Sequence, residues 1–401
     1  MIINSTPSNV TWFSSSQSSM PTINSMDENG IIKILDACLV NGGIERSVLS
    51  VTIDGNNVTL DFGLGHGFNL YQIIYISGAD DALINGNHKV IDMTNNTATI
   101  EVVGALVDTG VIKAKIAPLG YESIFGTTDP LKRAYRSLAA SSAKRVIYLD
   151  MSYPDGAGYH STSPARRAMI DVCEDMQTLG VQINSYTSAI NNKPTNQNGA
   201  LFWYQARGSS KTTAIDNFTV PWMVIGNGNF FYLCIGFSSY SSYKTSGIKE
   251  TYGFGEYIAL DKAVDATFLI APNSNDDTAS SYYSEFGGDF GSLSYNYVFS
   301  SVDSAFKKST IAFAGNNTGY SGATGGSYPS PSGNFLFTLP LKILNTTKSI
   351  IGFMPAYLFI EHQMLGNNDG QVVDGCLISM VQRIGGNPFT EPANVGFYVG
   401  V

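Results

Sequence analysis

Apolar and polar positions alternate with a period of two along much of this chain, and the alternation stops at clusters of Gly, Asn and Asp. Leu49, Val51 and Ile53 lead into Asp54-Gly55-Asn56-Asn57, and Val58, Leu60 and Phe62 lead away from it. That pattern predicts a β-hairpin. Short strands are predicted after it at 72–77, 89–93, 97–103 and 111–116. Five or six such strands in one span predict a small barrel or sandwich. A second hairpin is apolar on both faces. Trp222 to Ile225 form one arm, Gly226-Asn227-Gly228-Asn229 the turn, and Phe230 to Ile235 the other arm. The turn residues are those that tolerate positive φ, which tight hairpins often need. Further strands are predicted at 145–151, 252–259, 267–270, 335–340, 350–360, 372–381 and 395–399.

Helical spacing is rarer. Ile31, Ile32, Leu35 and Leu39 form one stripe behind Asp27 and Glu28, and Gly42-Gly43 end it, which reads as a helix with acids at its N-terminal end. Tyr121 to Arg136 is amphipathic enough for a short helix. Ser163-Pro164 reads as an N-cap with proline at the first helical position, followed by a face of Met169, Val172, Cys173 and Met176 and a stop at Gly180. The expected fold is therefore mainly β with a few helices. Residues 1–45 form an arm and helix, 46–117 a small all-β barrel or sandwich module, and 118–401 a larger, β-sandwich-like domain. The arm is rich in Ser, Thr, Asn and Pro and carries Trp12-Phe13. Such an arm stays mobile, packs on a neighbouring subunit or tucks onto its own domain. The stretches 274–294 and 315–334 read as long loops.

Composition narrows the functions. The 401 residues are 43% hydrophobic, 12% aromatic and only 14% charged, with a net charge of −9. This balance argues against reading nucleic acid, which needs a local excess of cations. The basic clusters Lys132-Arg133 with Arg136, and Lys144-Arg145, read as solvated faces or ion pairs. Cys38, Cys173, Cys234 and Cys376 are far apart, form no Cys-x-x-Cys pair, and read as reduced thiols. The first 25 residues show no secretory leader. The apolar run 350–360 is broken by Gly352 and Pro355 and is too short to span a bilayer, so no membrane insertion is expected.

Candidate chemistry is sparse. His66, His88, His160 and His362 do not have zinc spacing. Gly63-Leu64-Gly65-His66-Gly67 lies between strands and not in the strand–loop–helix setting of a phosphate loop. Gly208-Ser209-Ser210-Lys211-Thr212 lacks the upstream glycine of a P-loop. Asn367-Asn368-Asp369-Gly370 lacks the outer ligands of a calcium hand, although Asp276, Asp277 or Asp289 leave a surface calcium open. No Gly-x-Ser-x-Gly elbow occurs. Glu250, Glu256, Asp261, Glu285 and Asp289 supply carboxylates without a readable pairing. No enzyme activity, catalytic residue, metal or cofactor is expected.

Several strings resemble a group of tailed-bacteriophage virion proteins. They are Thr11-Trp12-Phe13-Ser14, the run Leu35-Asp36-Ala37-Cys38-Leu39-Val40-Asn41-Gly42, Gly65-His66-Gly67-Phe68, Tyr75-Ile76-Ser77-Gly78-Ala79, and Leu83-Ile84-Asn85-Gly86. Others are Tyr121-Glu122-Ser123-Ile124-Phe125, Ala134-Tyr135-Arg136-Ser137, Pro221-Trp222 with Gly226-Asn227-Gly228, Tyr252-Gly253-Phe254-Gly255-Glu256, and Gly352-Phe353-Met354-Pro355-Ala356-Tyr357. The likeness is strongest before residue 140 and between 219 and 258. It weakens in 152–200 and after 361. It implies a ring-forming structural subunit of the tail, neck or baseplate, assembled in the host cytoplasm into the virion. Its partners would be sibling copies and other tail, neck or baseplate proteins. On this reading Trp12, Phe13, Leu35 and Leu39 are candidate subunit contacts. The alternative is a receptor-binding adhesin or tail spike, with Tyr240, Tyr243, Tyr282 and Tyr283 stacking on host glycan.

Overall fold

The computed structural model describes residues 9–106, 110–152, 166–187, 201–206, 217–236, 249–261, 265–271, 292–301, 303–312, 338–345, 347, 349–360, 371–373, 376–383 and 392–399. Within them the chain is mainly β and forms three antiparallel sheets.

The first sheet takes all its strands from residues 46–116. Its order is Arg46–Ser47, Lys113–Ile116, Ile73–Ser77, Gly86–Met93, Thr97–Glu101, Asn57–Asp61 and Ser50–Asp54. The two outer strands are consecutive in the chain. Between them the Val48 N–H donates to Ile112 and the Leu49 N–H to Asp61, each on a different neighbour. The sheet therefore curls into a small barrel closed by one bent segment, which removes its free edges. Val58, Leu60, Ile74, Ile76, Val90 and Ile100 fill it and are fully buried. In the loop after Asp54, Gly55 has φ +60, which suits the first position of a two-residue hairpin turn.

The largest sheet runs in the order Thr11–Ser14, Trp222–Asn227, Phe230–Gly236, Lys249–Glu256, Thr267–Ile270, Ser292–Ser300, Ala305–Ala312, Thr338–Leu344, Ile350–Ile360, Pro392–Tyr398, Cys376–Arg383 and Gln371–Val373. Ile258–Ala259 pairs with Gly352 and Phe353, so the sheet curls back on itself. The hairpin expected at residue 227 lies near its start, with Asn227 opposite Phe230. Phe231, Leu233 and Ile235 face one core, and Phe230, Tyr232 and Cys234 the other. Both faces of this strand are covered, which explains its unbroken apolar run. The turn chemistry differs from expectation. Gly226, Asn227, Gly228 and Asn229 are not among the residues with positive φ. Asn227 instead bends the turn by accepting the Asn229 N–H at 2.9 Å. Gly226 is required for space, because a Cβ there would lie 2.2 Å from the Phe230 carbonyl oxygen.

The third sheet has the order Val181–Ser185, Arg166–Thr178, Val146–Asp150, Lys132–Ser137 and Tyr121–Ser123, with Leu201–Ala206 also paired to Arg166–Thr178. It corrects two helix expectations. Residues 166–178 form one long strand, although Met169, Val172, Cys173 and Met176 are spaced as on a helix. Ala168 and Ile170 are buried as well, so both faces are covered and helical spacing is lost in an all-apolar stretch. The Ser163-Pro164 start lies outside the described residues. Tyr121 to Arg136 is likewise two strands with a turn between them at Pro130, and not a helix.

The expected first helix is present at Gly30–Leu35 and widens into a π-helical turn at Asp36–Asn41, where the Gly42 N–H donates to the Ala37 carbonyl. Gly42 ends it with φ +75, and a Cβ there would meet the Ile116 carbonyl. One continuous core joins the barrel, the helix, the third sheet and one face of the curled sheet. Trp203 of the third sheet stacks on Tyr252 and donates its indole N–H to the Ile270 carbonyl at 2.9 Å.

Candidate interaction surface

The residues expected to meet a neighbouring subunit are spent inside the chain, and that expectation is corrected. Trp12, Phe13, Leu35 and Leu39 are at most 3% exposed. The arm Thr11–Ser14 is the first strand of the curled sheet, pairing with Met223 to Gly226. Trp12 enters one core and Phe13 the other. The arm also holds the barrel, because the Ile73 N–H donates to Thr11 Oγ1 at 2.9 Å and Gln72 Nε2 donates to the Trp12 carbonyl. The barrel is thus fixed against the curled sheet on its own chain.

The basic clusters are ion pairs. Arg133 places Nε within 3.1 Å of both Asp36 carboxyl oxygens, and Tyr135 donates to Asp36 Oδ1 at 2.8 Å. The wide π turn delivers Asp36 to this pair. Burial, then the Asp36 charge, push the Tyr135 phenol well up. Arg136 bridges Glu122 at 3.0 Å and Asp175 at 3.3 Å, and Lys132 meets Asp150 at 3.7 Å. Arg145 grips both oxygens of Asp265 and donates to Thr267. Its guanidinium lies 3.8 Å from the centre of the Phe299 ring. These bonds join the helix to the third sheet and the third sheet to the curled sheet. Sequence reading saw the arginines but not their partners, which are 97 and 120 residues away.

The two histidines of the barrel differ. His66 is buried between Phe62 and Phe68, with ring centres 5.3 and 5.0 Å away. Its Nε2 lies 2.9 Å from the Thr94 carbonyl and 3.1 Å from that of Thr97, and Nδ1 accepts the Phe68 N–H. Every polar atom of the ring is committed to holding loop geometry. Burial pushes the His88 imidazole down. Of the acids considered for glycan cleavage, Glu256 accepts the Ala143 N–H at 2.6 Å. Glu285 and Asp289 lie outside the described residues, as do Asp276, Asp277, Tyr240, Tyr243, Tyr282, Tyr283, His160 and the 367–370 turn. Among the described residues no group of three or more His, Cys, Asp or Glu is placed to hold a metal, and no helix is long and apolar enough to cross a membrane. Cys38, Cys173 and Cys234 are buried free thiols.

The surface feature that stands out is apolar. Among the described residues, nine of fourteen exposed large hydrophobic side chains lie between Ile44 and Val111, in or beside the barrel. Leu64 and Val111 are each 82% exposed, Val103 72%, Leu49 71% and Leu106 70%. The loops that carry some of them are held by side-chain bonds. Asp81 accepts the Leu83 N–H through Oδ1 and the Leu106 N–H through Oδ2, and Asn85 bonds Ala79 through both its oxygen and its nitrogen. Leucines and valines are thereby presented outward on loops of fixed shape. Such concentration of exposed apolar surface is unusual for a lone soluble chain and is typical of surfaces that other proteins cover. No family model matches the chain, and no curated protein matches it.

Proposed function

We propose that this chain is a structural subunit of a tailed-phage virion, placed in the tail, neck or baseplate, and that it acts by packing against sibling copies and other particle proteins without transforming a substrate. The observation that carries the assembly reading is the exposed apolar set on the barrel. Its particle setting rests on the sequence strings around Thr11–Ser14, Leu35–Gly42 and Gly65–Phe68. The burial of the arm changes the expected geometry of assembly. The contacts to neighbours come from the barrel loops, and the arm serves to hold the barrel rigidly in place. A rigid barrel lowers the ordering cost of assembly, because its loops are shaped before contact. In a ring the barrel of one copy would meet a different face of the next.

Mass spectrometry of purified particles tests the setting, and the chain is expected there in many copies. Its absence from the particles would sink the reading. Leu64→Asp combined with Val111→Asp tests the surface. The variant is expected to fold as a monomer with the wild-type circular dichroism spectrum and to fail to enter particles. Incorporation at the wild-type level would rule the barrel surface out.

A further inference from the structure

The seam between the third sheet and the curled sheet carries one more carboxylate than its arginine can neutralise. The turn at residues 138–145 leans on the tip of the hairpin. Ser137 donates its hydroxyl to the Gly228 carbonyl, Ser141 Oγ donates to Asn229 Oδ1 at 2.9 Å, and the Ala143 N–H donates to Glu256 Oε1 at 2.6 Å. The Glu256 N–H in turn donates to the Asn229 carbonyl at 3.0 Å. Arg145 ends the same turn, and Asp265 takes both of its terminal nitrogens. Glu256 is left with neutral donors, the Ala143 N–H and the Ser142 hydroxyl. Among the described residues the ionisable groups facing it are Asp265, Arg145 and the Tyr121 phenol. Lys144 is turned to the Ser137 and Ala139 carbonyls of its own turn.

We propose that Glu256 is a proton-operated latch. Protonated, it holds the 138–145 turn on the hairpin tip; ionised, it loosens that seam. A half-buried charge beside a second carboxylate is disfavoured, and a neutral carboxyl still accepts the Ala143 N–H through its carbonyl oxygen. Burial pushes the Glu256 carboxyl up, the Ala143 hydrogen bond opposes this, and Asp265 adds to the rise. A carboxyl raised in the folded state binds more protons folded than unfolded. Its contribution therefore favours the fold below the unfolded value, and is lost as pH rises through the folded one.

Amide exchange at Ala143 in the full chain, compared between wild type and Glu256→Gln, tests this from about pH 8 down to about pH 5. At the upper end the wild-type amide is expected to open more often than that of the variant. The ratio of opening constants is expected to fall toward one on acidification, by about tenfold for each unit by which the carboxyl is raised. A ratio constant with pH, or one that grows on acidification, would overturn the proposal. So would a Glu256→Gln chain that fails to fold, because the neutral isostere is the state said to be tightest. Titration of the Glu256 carboxyl carbon by NMR in the wild type gives a second reading. A midpoint at or below that of a free glutamate would also overturn it.

Discussion

Gln72 donates its side-chain N–H to the main-chain carbonyl of Trp12 over 2.6 Å, while Trp12 itself is paired with Ile225 in the curled sheet. One buried amide thus ties the barrel to the sheet through an arm far away in sequence. Its oxygen also accepts the Asn69 N–H at 2.7 Å. Gln72→Leu would remove both bonds and leave a buried carbonyl and a partly buried N–H without partners. The expected loss is about 2–4 kcal/mol, since each stranded polar group costs about 1–3 kcal/mol. Urea unfolding should show a lower midpoint, and exchange should rise first at the amides of residues 11–14 and 73. An unchanged midpoint would mean that the arm does not hold the barrel.

The Arg145–Asp265 pair fastens the other seam. Arg145 is 8% exposed at its side chain and Asp265 30%. Arg145→Met keeps much of the stem that packs near Phe299 and Tyr186 but strands the Asp265 carboxylate. Breaking such a pair from one side costs about 3–5 kcal/mol when fully buried. The partial exposure of Asp265 places the expected loss at the low end, about 3 kcal/mol. Asp265→Asn in the Arg145→Met background should recover part of that loss, because the uncompensated charge is gone. A double-mutant cycle of thermal or urea unfolding measures the recovery, and strict additivity of the two losses would contradict the coupling.

His66 makes a separate prediction about the barrel. Its ring fills the gap between Phe62 and Phe68 and bonds three main-chain groups. His66→Ala would open a cavity and leave the Phe68 N–H without its acceptor. A destabilisation of about 2–4 kcal/mol is expected from the two effects together. Exchange should rise around residues 62–70 and 94–97 before it rises in the curled sheet. Because the ring is spent on structure, added zinc is expected to leave the melting temperature unchanged. A zinc-dependent rise would show that the ring is available as a ligand.

The same residues mark what could be read in the sequence. The two hairpins were legible because alternation and turn residues are local, and pairings such as Asp54 with Asn57 and Asn227 with Phe230 follow from them. Glycines at the end of the first helix were legible for the same reason. Residues 166–178 were not, because a strand covered on both faces keeps no period-two signal, and Met169, Val172, Cys173 and Met176 then match a helix by chance. Trp12 and Phe13 looked like anchors for a neighbour because their true partners, Gln72 and Ile225, are brought to them only by the fold. The acids that hold the arginines are hidden for the same reason. Nothing local links Asp36 to Arg133 or Asp265 to Arg145. The apolar barrel loops are the clearest case. Leu64, Leu106 and Val111 look like ordinary core residues until the closed barrel shows that they point out.

Two glycines separate the effect of backbone conformation from that of space. Gly55 has φ +60 and nothing within 4 Å of where a Cβ would stand. Gly55→Ala therefore meets only the conformational penalty of a left-handed residue, about 1–2 kcal/mol, and should fold with a slightly lower midpoint. Gly255 has φ +141, and a Cβ there would lie 2.3 Å from the Phe230 Cα and 2.4 Å from the Asn229 carbonyl oxygen. Both of those atoms are main chain in the hairpin that sets the register of the curled sheet, so no side chain can swing away to make room. Gly255→Ala must then shift Phe230 out of its pairing with Gly255 and disturb both core faces of the hairpin strand. The expected result is loss of soluble, cooperatively folding protein, against a mild loss for Gly55→Ala. Expression of the two variants side by side, followed by near-ultraviolet circular dichroism and urea unfolding, makes the comparison. A Gly255→Ala protein as stable as the Gly55→Ala protein would show that residue 255 is not held against the hairpin.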